Sequence, residues 1–109
     1  MQEPEKCLIG ILLDEKAELG DRDDAAMDLS EYDDANVEGA LSIIACDSDP
    51  DEVLADSCAE SLAEIWSRRG SVSEEIWRTL SPVSRPIAFS TIKALNPSLA
   101  KTIQRLEDD

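Results

Sequence analysis

The order in the hydrophobic and polar positions of this chain shows best when it is laid over itself. A shift of 33 places residues 5–32 over residues 38–65 without a gap. Identities then fall at Glu5/Glu38, Leu8/Leu41, Ile11/Ile44, Asp14/Asp47, Asp23/Asp56, Ala26/Ala59, Leu29/Leu62 and Glu31/Glu64. The apolar matches keep helical spacing, so the repeated unit is built of helices. A third unit follows with a shorter corner: Ile76, Trp77 and Leu80 take the places of Ala40, Leu41 and Ile44, and residues 83–95 lie over residues 53–65.

Each unit reads as two helices. First helices are predicted over residues 4–19, 35–47 and 72–81, and second helices over 22–33, 50–68 and 84–95. Gly20 is placed to stop the first helix, with Asp21 capping the second and Asp24 three positions on. Asp49 is expected to cap the fourth, with Pro50 at its first position and Glu52 at its third. Arg68, Arg69 and Gly70 put positive charge and a glycine where that helix should close. Asn96 and Pro97 open a last helix, residues 97–107, that covers the end of the stack.

The segment "DPDEVLADSCAESLAEIW" resembles HEAT-repeat proteins, whose second helix follows an acid-rich turn with a valine, a small-residue pair, a leucine and an aliphatic. Those are Asp49 to Glu52, Val53, Cys58 with Ala59, Leu62 and Ile65. The family's arginine after the valine is replaced by Leu54 and Ala55, and Pro86 near a helix start marks the third unit as irregular. The resemblance implies an all-α fold spanning residues 1–109 as one repeat domain: a short α-solenoid of three HEAT-like hairpins, residues 4–33, 35–68 and 72–95, with a C-terminal capping helix. Ala25-Ala26, Cys58-Ala59 and Ala88-Phe89 occupy equivalent positions where second helices would cross closely. Cys7, Cys46 and Cys58 all align with apolar columns and are expected in the core, as is Trp77. Trp66 aligns with Asp33 instead, so it is either packed beneath the third unit or partly exposed as a hot spot for a partner.

Composition narrows the function. Of 109 residues, 25 are acidic and 10 basic, a net charge of −15 that repels nucleic acid and anionic lipid and draws in basic proteins. An acidic N-terminus, "MQEPEKC", and a longest apolar run of seven residues, "CLIGILL", lead us to expect neither a leader nor a spanning segment. Three cysteines without CxxC spacing fit a reducing, cytoplasmic setting. The corner "CDSDPDE" would need glycine at loop position six and glutamate at twelve to bind calcium; counting from Asp47, it has Glu52 and Cys58. With no histidine and no phosphate-loop, GxSxG or CxxC motif, no enzyme, cofactor or metal site is expected.

The candidate chemistry is therefore a surface. With Cys58, Ala59, Leu62 and Ile65 facing inward, Asp56, Glu60 and Glu64 form an exposed stripe. Asp23, Asp24, Asp28 and Glu31 are expected to extend it, with acidity fading toward Ser90, Thr91 and Lys93. In size, charge and repeat type the chain resembles immunity proteins of bacterial polymorphic or contact-dependent toxins. That implies a module, monomeric when unbound, whose acidic face and Trp66 neutralise a basic toxin such as a nuclease. A scaffold or adaptor docking a helix or peptide, and an acidic mimic of nucleic acid, are the alternatives.

Overall fold

The computed structural model of the chain describes residues 3–49 and 51–108. They form seven α-helices: α1 (Pro4–Leu13), α2 (Leu19–Asp28), α3 (Ala35–Ala45), α4 (Glu52–Arg69), α5 (Glu74–Thr79), α6 (Ser84–Leu95) and α7 (Pro97–Asp108). A 3-10 turn, Leu29–Glu31, extends α2, and no strand occurs among the described residues. None of the described helices is long and apolar enough to cross a membrane. The all-helical reading holds, and the seven helices come in the predicted order.

Several predicted boundaries move, each for a local reason. The first helix ends at Leu13, six residues early, because Asp14 leaves helical geometry and its carboxylate accepts from the Lys16 N–H at 2.9 Å. That side-chain turn competes with the helix for the backbone. The Arg22 guanidinium then reaches back to the Leu12 carbonyl at 2.9 Å, satisfying one of the open acceptors at the end of α1. Gly20 and Asp21 are thus inside α2 rather than at its boundary, and the capping position falls to Glu18, whose side chain makes no capping bond.

Asp51, not Asp49, caps α4: its carboxylate accepts from Val53 N–H at 3.0 Å and Leu54 N–H at 3.2 Å. Asp49 instead closes a small turn, its own N–H donating to Asp47 Oδ1 at 3.0 Å. Pro50, expected to open that helix, lies outside the described residues. The predicted stop is where it should be: Gly70 adopts φ 83°, and its N–H returns to Trp66 O at 2.7 Å. Pro86 sits at the third position of α6, where its missing N–H has no helical partner to lose, so the helix is uninterrupted.

Packing centres on α4, which touches α2, α3 and α6; α1 packs on α2 and α3, and α7 on α6. The seam between α2 and α4 is made of small residues. Ala26, Ala59 and Cys58 have no exposed surface, nor does Ala88 on α6. The Ser61 hydroxyl, buried on α4, donates to the Ala26 carbonyl across this seam at 2.7 Å. Arginines fasten the rim: Arg69 pairs with Glu38 at 2.7 Å and Asp33 at 3.6 Å, and Arg68 donates to Ser30 O at 2.7 Å. Asn96 joins the start of α7 to the end of α4, with its amide donating to Ser67 O and its carbonyl oxygen accepting from Leu99 N–H.

The cysteine expectation holds for Cys58, holds in part for Cys46, which packs against the edge of the core, and does not hold for Cys7. Cys58 is buried, and desolvation raises its thiol pKa to about 12, with nearby Asp23 adding to the rise and Arg22 opposing it. Cys46 is half-buried, its sulfur 3.3 Å from the Thr79 hydroxyl, and Cys7 is exposed. Cys7 matches Ala40 in sequence, yet Ala40 is buried and Cys7 is exposed, so the aligned position is covered on α3 and open on α1. Trp66 is fully buried and meets Trp77 edge-on, with ring centroids 6.3 Å apart at 64°. It is a core residue, out of reach of any partner.

Candidate functional site

The site forms where α2, α4 and α6 lie side by side. Asp56, Glu60 and Glu64 recur every four residues on α4, so they share its outer face. Its opposite face carries Cys58, Ala59, Leu62 and Ile65, all fully buried. This burial fixes the rotation of the helix and so points the carboxylates outward. From α2, Asp23 is brought to the same wall, where it accepts a hydrogen bond from the Ser57 hydroxyl of α4.

The electrostatics of Glu60 show that these groups act on one another. Its pKa is raised above the ordinary value of 4.5, first by desolvation, then by a hydrogen bond with Asp56, then by the charges of Asp56, Glu64 and Asp23. Carboxylates from two helices thus share one field. On the far side of α4 a groove of about 350 Å³ separates the wall from α6, lined by Asp56, Glu60, Pro86, Ile87, Ser90 and Thr91. Its α6 side carries hydroxyls and apolar groups with no carboxylate, so the acidity of the wall stops at α6. Among the described residues no group of three or more Cys, Asp or Glu is arranged to hold a metal ion.

The remaining candidates are placed elsewhere. Asp24 and Asp28 line a second groove, between α1 and α2, together with Asp21. Glu31 is exposed in the 3-10 turn after α2. The division follows from register: the 33-residue shift carries Asp56, Glu60 and Glu64 onto Asp23, Met27 and Glu31. Asp24 and Asp28 are one residue further on, about 100° around the helix, which turns them toward α1. Ser57, Pro86 and Ile87 were missed as parts of the wall and its groove. The shift aligns Ser57 with Asp24, so nothing marked it as the partner of Asp23.

Comparison of the chain with protein-family models, with curated protein sequences and with solved structures finds no match.

Proposed function

We propose that this chain is an acidic protein-binding module of HEAT-like helical hairpins that neutralises a basic partner, most specifically as an immunity protein that blocks a bacterial toxin such as a nuclease. The solenoid reading is supported by the adjacency of α2, α4 and α6 and by the matching burial of the aligned residues Ala25, Cys58 and Ala88. The observation that carries the functional reading is the joining of Asp23 to Asp56, Glu60 and Glu64 on one wall. Like charges four residues apart on a helix destabilise it by about 0.2–0.5 kcal/mol per pair. Two such pairs, Asp56/Glu60 and Glu60/Glu64, stand in succession on α4. A basic cleft docked on the wall relieves that repulsion, and the field accelerates its approach in a salt-sensitive way.

The test starts from the gene beside this one, whose product should arrest bacterial growth when expressed alone and be tolerated when this chain is co-expressed. A variant with Asp56, Glu60 and Glu64 all changed to Lys should keep its helical circular dichroism and lose protection. Full protection by that variant would reduce the wall to a solvated surface.

A further inference from the structure

The groove between α1 and α2 is a second surface, on the side of α2 away from the wall. Its floor is apolar, formed by Leu8, Ile11 and Ala25, and one edge is acidic, formed by Asp21, Asp24 and Asp28; it encloses about 320 Å³. Ile11 is 40% exposed, although the repeat aligns it with Ile44, which is buried at 9%. Leu8 is likewise half-buried where its counterpart Leu41 is fully covered. The same apolar positions are thus covered by the chain's own helices one repeat later and left open here. A shape that a helix covers in one unit fits a helix in the other.

We propose that this groove docks an amphipathic helix of a partner protein, with its apolar stripe on Leu8, Ile11 and Ala25 and a row of lysines or arginines against Asp21, Asp24 and Asp28. The charge is one-sided because the three aspartates recur on one face of α2, so the occupant has a defined orientation as well as a defined chemistry. A second copy of this chain is a poor occupant, since a net charge of −15 repels itself and only 10 basic residues are available to meet the rim.

The probe is a synthetic helical peptide of about 15 residues, with a leucine stripe edged on one side by lysines. Two comparators are used: the same stripe edged by glutamates, and the lysine peptide with its residues permuted so that leucines and lysines no longer segregate. Titrated into the 15N-labelled full chain, the lysine-edged peptide should shift the amide signals of Leu8, Ile11, Ala25 and Asp24 saturably. Changing Asp24 and Asp28 together to Lys should weaken it about tenfold, the equivalent of two exposed ion pairs. Ile11→Ser, at an exposed position, should also weaken it, whereas Glu60→Lys on the other face should leave it unchanged. Equal binding of the permuted peptide, shifts confined to Asp56, Glu60 and Ile87, or no saturable binding by about 1 mM would each overturn the proposal. Because Glu60→Lys impairs only the wall, failure here is separable from failure of the immunity reading.

Discussion

Replacing Ala59 with leucine tests the seam that orients the acidic wall. Ala59 has no exposed surface and shares the seam with Ala26 and Cys58, which have none either. An added isopropyl group has no solvent to enter, so α2 and α4 must separate or a side chain must leave its rotamer, at a cost of about 1–3 kcal/mol. Separation would also lengthen the 2.7 Å bond from the Ser61 hydroxyl to the Ala26 carbonyl, a buried interaction contributing about 1 kcal/mol. In urea titrations the midpoint should fall while the slope stays the same, because the surface exposed on unfolding hardly changes. The melting temperature should drop by roughly 4–12 °C for a chain of this size. Circular dichroism reports all helices, and fluorescence reports the buried pair Trp66 and Trp77, so coincident transitions would also establish two-state unfolding. Val53→Leu is the matched control: it enlarges a side chain on the same helix at a position 52% exposed, and should change stability by no more than about 0.5 kcal/mol. If Ala59→Leu melts with the wild type, α2 and α4 do not meet closely there, and the argument for the rotation of α4 fails with it.

Two further outcomes are expected. Asp51→Ala should destabilise the chain by about 0.5–2 kcal/mol through loss of the α4 cap, whereas Asp49→Ala should be near neutral; the reverse order in a pair of thermal melts would return the cap to Asp49. For Glu60, a folded-state pKa above 4.5 means the folded chain holds the proton more tightly than the unfolded one. Stability should therefore rise as pH falls from neutrality toward about 4.5, and Glu60→Gln should flatten part of that rise; identical pH profiles for the two proteins would contradict the shared field.

The second helices were legible in the sequence because burial imprints a strong pattern on them. Small residues at Ala26, Ala59 and Ala88 need a close neighbour, and Leu62 and Ile65 add a stripe that only a buried face explains. The corners were less legible. Asp14, Asp21, Asp49 and Asp51 are all competent caps by residue type, and only the backbone path selects among them. The Asp14 turn ended α1 at Leu13, six residues short of the predicted end, because a local side-chain bond acts sooner than a glycine further along. At the site, repeat alignment located Asp56, Glu60, Glu64 and Asp23 but not the turning of Asp24 and Asp28 toward α1. A pattern of acids marks a helix as exposed without recording which neighbour each acid faces. Cys7 and Ile11 mislead for a related reason: repeated sequence implies repeated burial only where the neighbours repeat too.

The 18 residues of α4 run through the middle of the molecule, with helices on three sides. Asp56, Glu60 and Glu64 are therefore graduations on a rigid ruler, spaced about 6 Å apart along its axis by helical rise alone. A visitor reading those marks need not wait for a loop to settle, and little ordering entropy is lost when it does so. Selectivity would then reside in whether the visitor's own cations repeat at the same interval.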